Sequence, residues 1–313
     1  MTALLAAAAP AGARAQGTRL PVVGILLLGD PDPGSFMTAF RQGLREAGYT
    51  EGQDIRLELR SAGGRAANLP QLAAELVGLK ADIIVAWQTP AALAAKRATQ
   101  DVPVVMAGVG DPLATGLVTS LARPGGNLTG TSSSVTDYGA KILSIVRETL
   151  PSVRRVAILA HATDPFTIPY LAQFESAAPR QGVEIDPVRV QPAEPLEGTI
   201  EAMRQKGAEA VIVQGSMHRP EVPGLMLKHR LPVFSNLRQL PATGGLLSYG
   251  GIGADTWRQA ASYVDRILRG ALPGDLPVAQ PTRFELVVNL KTAQALGLSL
   301  PPSIIARADE VIE

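Results

Sequence analysis

Residues that could carry out covalent or metal chemistry are scarce in this sequence. There is no cysteine, which removes thiolate ligands, thiol nucleophiles, disulfides and the residue that a lipoprotein anchor requires. The three histidines, His161, His218 and His229, lack the spacing of metal ligands on a helix. Residues 108–113 begin like a dinucleotide-binding turn without its third glycine, and no P-loop or G-x-S-x-G pattern occurs. We therefore expect no catalytic residue, metal or cofactor.

Candidate ligand-binding residues follow predicted strands. Trp87, Gln88 and Thr89 come after a strand and open a helix, where Thr89 suits the N-cap and the free backbone N–H groups suit a carboxylate. Trp87 fits an aromatic ligand and the lobe core equally well. Asp111, after the next strand, suits either a ligand ammonium or the cap of its own turn. Phe36, in the first such loop, faces either the cleft or the core.

Further candidates lie in the second half of the chain. Asp164, Phe166, Ser216 and Asn236 occupy loops that correspond to those of the first half, and Tyr249 lies in a later crossing between the halves. His161 suits a structural role better than a ligand contact. The full predicted ligand-binding set is Phe36, Trp87, Gln88, Thr89, Asp111, Asp164, Phe166, Ser216, Asn236 and Tyr249.

Length and composition favour two lobes around large cores. The chain has 313 residues, of which 46% are hydrophobic and 18% charged. Lysine and arginine total 29 against 28 aspartate and glutamate, a net charge of +1. A nucleic-acid-binding protein usually carries a basic excess, so we expect no nucleic-acid partner.

The order of predicted elements repeats. The first copy has strands near 22–28, 55–59, 82–86 and 102–106, with helices near 36–47, 69–79 and 91–98 between them. The same order begins again at Val156. Two copies of this pattern predict an α/β fold of two doubly wound, parallel-sheet lobes. A single large sheet is the alternative, and the complete new first-strand signal at Val156 argues against it.

Three connectors divide the chain. They are predicted at 123–130, 244–253 and 273–281, and they would allow the lobes to hinge. A long amphipathic helix is predicted over 255–270, with Trp257 on its buried face. Lobe 1 is then 18–130 plus about 250–280, and lobe 2 is 131–249 plus about 281–313. The lobe that holds the last thirty or so residues stays open.

The N-terminal residues resemble an export signal. Leu4 to Ala9 read LLAAAA, and Ala13-Arg14-Ala15 follows as an A-x-A cleavage pattern, which predicts a signal peptide over 1–15. The alternative is a disordered, alanine-rich tail. No later segment reaches the ~18 apolar residues of a membrane span. We expect export to the periplasm of a Gram-negative cell, without a lipid anchor.

Several long strings resemble a known family. They include LREAGYTEGQDI at 44–55, TPAALAAKRAT at 89–99 and GDPLATGLVTSLARPGGNLTG at 110–130, with matching strings at 69–86 and 281–313. They are similar to ABC-transporter substrate-binding proteins, a family that includes the tryptophan- and tyrosine-type periplasmic binding proteins. The resemblance implies a type I periplasmic binding protein-like fold with a three-crossover hinge. Trp87-Gln88 and the loop 161–166 depart from the family pattern, so the solute need not be an amino acid.

The resemblance implies the solute-binding component of an ABC importer, and the residues at the strand ends agree with that role. Hinged closure of a monomer would capture a small solute that bears a carboxylate, with or without an aromatic ring. The protein would then deliver this solute to a membrane permease and its ATPase. Thr89 would hold the carboxylate, Asp111 an ammonium or hydroxyl, and Trp87 with Phe166 or Tyr249 the apolar body. A ligand-sensing periplasmic protein for a receptor, and an enzyme on the same scaffold, are the alternatives.

Overall fold

The structure is a computed structural model that describes residues 19–29, 34–133, 137–191, 194–217 and 219–313. The predicted signal at 1–15 lies outside these ranges, as do residues 30–33 of the loop that was predicted to carry Phe36. The elements of the first lobe are β1 (Val22–Leu27), α1 (Gly34–Glu46), β2 (Arg56–Ser61), α2 (Leu69–Gly78), β3 (Ile83–Trp87), α3 (Thr89–Ala98), β4 (Val104–Val109) and β5 (Leu128–Ser132).

The chain then crosses to the second lobe and later crosses twice more. The elements up to the second crossing are α4 (Tyr138–Thr149), β6 (Arg155–His161), α5 (Thr167–Gln181), β7 (Glu184–Val190), α6 (Glu197–Gln205), β8 (Ala210–Val213), α7 (Val222–Lys228), β9 (Val233–Ser235), α8 (Gln239–Ala242) and β10 (Leu247–Gly251). After it come α9 (Gly253–Leu268), β11 (Phe284–Asn289), α10 (Leu290–Leu296), α11 (Pro302–Arg307) and β12 (Glu310–Ile312).

Within the described residues the first lobe contains a five-stranded parallel sheet. Its strand order is β2-β1-β3-β4-β5, and every residue of the central strand β1 (VVGILL) is buried. Helices α2 and α3 cover one face, while α1 and α9 cover the other. Helices α1 and α9 approach closely, since a β-carbon at Gly43 would lie 2.6 Å from the backbone oxygen of Arg258. A helix from after the second crossing thus completes the first lobe.

In the described part of the second lobe, the sheet has seven strands in the order β12-β11-β10-β9-β8-β6-β7. All neighbouring strands are parallel except β10 and β11, which are antiparallel. Buried residues of α4 and α5 pack on one face, and those of α6 and α7 pack on the other. The two sheets confirm the predicted α/β architecture of two lobes.

The three crossings lie side by side and bond to one another. The amide of Ile252, between β10 and α9, donates to the backbone oxygen of Arg283, ahead of β11 (3.2 Å). The amide of Ser132 at the end of β5 donates to Ala279 O (2.8 Å). An ion pair between Arg283 and Asp255, with a nitrogen–oxygen distance of 3.0 Å, adds a side-chain link. The connection between the lobes is therefore a short, laterally bonded hinge.

Two segments predicted as turn-rich connectors are strands. Residues 128–132 form β5, and residues 247–251 form β10 inside the second sheet. Their sequences, LTGTS and LSYGG, contain glycine and lack the continuous apolar run that marks the other buried strands. The expectation of two four-stranded units was therefore wrong in strand number, because burial in the sheet outweighs the weak strand propensity of these residues.

Candidate functional site

A cavity of about 800 Å³ lies between the two lobes, beyond the carboxyl ends of the parallel strands. Its volume lies within the roughly 300–1,000 Å³ of small-molecule sites. Ligands of open α/β sheets bind at such strand ends. Eight predicted residues line it, namely Phe36, Trp87, Gln88, Thr89, Asp164, Phe166, Ser216 and Asn236.

Stacked aromatic rings form the lobe 1 wall of the cavity. The rings of Phe40 and Phe36 stack with centroids 5.7 Å apart, and Phe36 stacks on Trp87 at 5.1 Å with nearly parallel planes. Trp257, from α9, meets both Phe36 and Trp87 edge-on. Phe36 is fully buried, whereas Trp87 is only partly buried. Trp87 therefore packs on the lobe core, and part of its ring surface stays exposed to the cavity, where a ligand could contact it.

Gln88 and Thr89 join β3 to α3 at the edge of this wall. Gln88 precedes the helix with φ 72° and ψ 157°, and Thr89 is the first helical residue. Thr89 was predicted as the N-cap, and that assignment is wrong by one position. Its buried hydroxyl instead accepts a hydrogen bond from the backbone N–H of Gly110 (2.9 Å), which ties α3 to the loop after β4.

An acidic residue with little solvent contact lies on the lobe 2 side. Asp164 is 6% exposed, and its Oδ1 accepts a hydrogen bond from the amide of Phe166 (2.9 Å). Burial raises the pKa of Asp164, and the hydrogen bond from Phe166 opposes that shift. Burial also lowers the pKa of the neighbouring His161, which favours its neutral form. No described cationic side chain forms an ion pair with Asp164.

A glutamine holds the Asp164 loop in place. Gln214 Oε1 accepts hydrogen bonds from the amide of His161 and from the hydroxyl of Thr167, both at 2.9 Å. Its Nε2 lies 3.5 Å from Asp164 Oδ2. These bonds fix the ends of β6 and β8 and the start of α5 relative to one another, so Asp164 is held on a rigid support.

Two further oxygen atoms on the lobe 2 side of the cavity meet no hydrogen-bond distance and angle with a described residue. They are Ser216 Oγ, after β8, and Asn236 Oδ1, after β9, and both atoms are buried. The Ser216 hydroxyl lies close enough to Asp164 to act on it as a hydrogen-bond donor, which helps to lower the pKa of that carboxyl. A buried polar atom without a partner costs about 1–3 kcal/mol. The Asp164 carboxylate, the lone pairs of the Ser216 hydroxyl and the Asn236 carbonyl oxygen can therefore accept hydrogen bonds on adjacent loops, an arrangement that suits a donor with positive charge.

The one arginine among the described lining residues is already engaged. Arg219 donates to the backbone oxygens of Glu194 (2.8 Å) and Gln191 (2.9 Å), and it lies 3.8 Å from the Glu221 carboxylate. Its guanidinium is therefore occupied by backbone oxygens that follow β7. An anionic ligand group would meet neutral donors in most of this cavity.

The lobes touch at one of the predicted residues. The ring of Phe166 lies so close to Gly110 that a β-carbon at position 110 would stand 2.2 Å from Phe166 Cγ. Gly110 belongs to the loop after β4 in lobe 1, and Phe166 precedes α5 in lobe 2. The structure thus has its two lobes closed over the cavity at this point.

Two predicted residues do not line the cavity. Asp111 Oδ1 accepts hydrogen bonds from the amides of Leu113 (3.1 Å) and Ala114 (3.0 Å), so this carboxylate caps its own turn. Tyr249 stacks on Phe284 at 5.7 Å, within lobe 2. The ammonium site proposed at Asp111 is therefore not supported by its position.

Sequence reasoning missed several lining residues, including Gly110, Tyr138, Tyr170, Gln214 and Trp257. Trp257 was predicted only as a buried residue of its helix. Trp257 lines the cavity because its ring meets Phe36 and Trp87, which are distant from it in the sequence. The hydroxyls of Tyr138 and Tyr170 are buried without a described partner, and burial raises the pKa of both.

No group of three or more histidine, aspartate or glutamate side chains among the described residues could hold a metal ion. None of the helices in the described ranges is both long and apolar enough to span a membrane.

Comparison with known proteins identifies the family. The sequence model for "ABC transporter substrate binding protein" matches residues 31–312. The chain therefore belongs to the ABC-transporter substrate-binding protein family, as the sequence resemblance predicted.

Three relatives are similar to it. A tyrosine-binding protein of Clostridioides difficile is 25% identical over 264 residues, which are 83% of this chain and 75% of that protein. A Streptococcus pneumoniae ABC domain in complex with L-tryptophan superposes with a TM-score of 0.88 at 25% identity, covering 94% of this chain and all of that one. A ligand-free, open substrate-binding protein from Clostridium difficile gives a TM-score of 0.66 at 24% identity, covering 94% and 99%.

Proposed function

We propose that this chain is the periplasmic solute-binding component of an ABC importer. It captures a small aromatic solute that bears a carboxylate and an ammonium group, and it delivers that solute to a membrane permease and its ATPase. The observation that carries the proposal is a cavity between the lobes with a partly exposed tryptophan on one wall and, on the other, a buried acid that forms no ion pair with a described residue.

The aromatic part of the solute fits the lobe 1 wall. Trp87 is supported from behind by Phe36 and from the side by Trp257, so its ring is held rigid. A rigid aromatic surface binds a flat ring with little loss of conformational entropy. The tyrosine and tryptophan named for two relatives agree with this chemistry.

The ammonium part fits lobe 2. Asp164 has a charge without a described cationic partner, and Ser216 and Asn236 supply two further oxygens whose lone pairs can accept hydrogen bonds. An ammonium group donates three hydrogen bonds and supplies the missing charge. Asp164 thus replaces Asp111 in the role that the sequence suggested for an acidic residue.

Capture follows from contacts with both lobes. A solute that touches Trp87 on lobe 1 and Asp164 on lobe 2 binds the closed form better than the open one, and so shifts the population towards closure. The TM-scores of 0.88 with the tryptophan complex and 0.66 with the open, ligand-free protein support a closed arrangement in this chain.

A thermal-shift screen tests the proposal. Purified chain is heated with L-tryptophan, L-tyrosine, L-phenylalanine, L-leucine, benzoate and 4-hydroxybenzoate at equal concentrations. Bound solute raises the thermal midpoint by mass action, and we expect the largest shifts with the aromatic amino acids. Shifts with leucine or the benzoates alone would contradict the proposed solute class, and turnover of a bound solute would contradict a binding role without catalysis.

A further inference from the structure

The backbone of Gln88 adopts a conformation that ordinarily requires glycine. Its φ of 72° combined with ψ of 157° lies in a region populated almost entirely by glycine, because a side chain there clashes with its own backbone. The described chain has four non-glycine residues at positive φ, namely Lys80, Gln88, Asp137 and Arg230. Of these, Gln88 lines the cavity.

Fixed elements on both sides impose this conformation. Trp87, the last residue of β3, pairs with Leu27 of β1 and Ala107 of β4. The backbone oxygen of Gln88 accepts from the amide of Ala92 (3.2 Å) and so opens α3. One residue must therefore turn the chain from the strand into the helix. Glycine would make this turn without strain, yet the position carries a glutamine.

The side chain of Gln88 is available for a ligand. Its carboxamide forms no hydrogen bond with any described residue, although it lies at the cavity surface. The residue is partly buried and joins the end of β3 to the start of α3. A strand-to-helix turn with this geometry projects a side chain above the sheet, as a strained turn does in the nucleophile elbow of hydrolases.

We propose that Gln88 is a specificity-determining residue that binds the carboxylate of the solute through its side-chain amide. No lysine or arginine is among the described lobe 1 residues that line the cavity, and Arg219 of lobe 2 is engaged with Gln191 and Glu194. A carboxylate beside Trp87 thus requires a neutral donor, which the amide provides. This inference rests on the proposed function, because it requires a solute with a carboxylate.

The test separates strain from binding with two substitutions at one position. Gln88→Gly removes both the strain and the amide, whereas Gln88→Ala removes the amide and keeps a β-carbon in the strained turn. Lys80→Gly is the matched control, since Lys80 also has positive φ (57°) but does not line the cavity. For each variant the thermal midpoint is measured without solute. Dissociation constants for L-tryptophan and for tryptamine, which lacks the carboxylate, are measured by calorimetry.

We expect Gln88→Gly to raise the midpoint and to weaken L-tryptophan binding by roughly tenfold or more, the loss of one hydrogen bond to a charged group. Gln88→Ala should weaken binding equally without raising the midpoint. Tryptamine binding should change much less in both variants, and Lys80→Gly should leave both constants unchanged. Unaltered L-tryptophan binding by Gln88→Gly, or equal losses of affinity for the two solutes, would overturn the role of Gln88 and leave the proposed function standing. Failure of the unmodified chain to bind either solute would contradict the proposed function itself.

Discussion

The ring of Phe166 in lobe 2 rests directly on the backbone of Gly110 in lobe 1. A β-carbon at Gly110 would stand 2.2–2.5 Å from three ring atoms of Phe166, closer than real β-carbons approach any neighbour. Closure of the lobes at this point therefore depends on the absence of a side chain at position 110. Since Gly110 has no positive φ, an alanine there tests the contact without straining the backbone.

We predict that Gly110→Ala weakens solute binding by holding the lobes apart. The expected loss is roughly tenfold or more, because a ligand that contacts both lobes loses part of its contacts in an incompletely closed form. Calorimetric titration of the solute measures it.

Removal of the opposing ring should reverse part of this effect. In the double variant with Phe166→Ala, alanine at position 110 has space, so binding should equal that of Phe166→Ala alone. Gly198→Ala is the control, since its β-carbon would meet nothing within 4 Å. Equal affinity of Gly110→Ala and the unmodified chain would show that the contact does not limit closure.

Trp87→Ala should lower affinity for an aromatic solute by roughly 10–100-fold, since full burial of a large apolar side chain contributes about 1.5–3 kcal/mol. Trp87→Phe keeps a ring on Phe36 and should lose much less. Tyr263→Phe, on α9 and outside the cavity lining, serves as the control. Affinity that is the same in Trp87→Ala as in the unmodified chain would exclude the ring from the site.

The stability of the chain should depend on the titration of Asp164. Burial raises the pKa of this group in the folded chain, so the folded state keeps a proton that the unfolded state has released. The free energy of unfolding therefore falls as pH rises from about 3.9, the pKa of an unfolded aspartate, through the higher folded value. Without solute, Asp164→Asn should raise the thermal midpoint at neutral pH, and this gain should vanish as pH approaches 4.

The same variant should bind the solute more weakly. Asp164→Asn removes the charge that an ammonium group would meet, and a hydrogen bond to a charged group contributes about 1.5–3 kcal/mol, or roughly 10–100-fold in affinity. Asp111→Asn is the matched control, because that carboxylate caps its own turn outside the cavity. If both variants bind as tightly as the unmodified chain, the ammonium site lies elsewhere.

The stability of the C-terminal strand β12 should depend on Arg238. Its guanidinium pairs with Glu285 of β11 (2.7 Å) and with Glu310 of β12, and Glu285 is only 8% exposed. Arg238→Met leaves that carboxylate unpaired, so we expect the free energy of unfolding to fall by about 1–3 kcal/mol. Amide exchange in β12 should also become faster. Arg269→Met, which breaks an exposed pair with Asp265, should change little, and an equal loss in both variants would contradict the prediction.

Local patterns in the sequence predicted the individual strands and helices better than the way in which these elements pair and pack. The apolar run of β1 and the stripe of α9 were both recognised, because burial on a parallel sheet leaves a direct pattern. The glycines of β10 weaken its strand pattern in the sequence, and pairing with β9 and β11 stabilises this strand in the fold. Likewise, no sequence pattern shows that α9 packs with α1 on one face of the first sheet.

The sequence likewise predicted those site residues that a local pattern marks, and it missed the contacts between distant segments. Trp87, Gln88 and Asp164 were found because strand ends line the cleft in this type of fold. Asp111 follows a strand too, but its carboxylate is satisfied within its own turn. The contact of Gly110 with Phe166 joins residues from different lobes, so it depends on the angle of the hinge.

Calorimetric titration of L-tryptophan and L-tyrosine into the purified chain tests the central claim most directly. The account predicts one site per chain for at least one of these amino acids, with an affinity that Trp87→Ala and Asp164→Asn each reduce tenfold or more. No binding of either amino acid, or binding that neither substitution weakens, would contradict the capture of an aromatic amino acid between the two lobes.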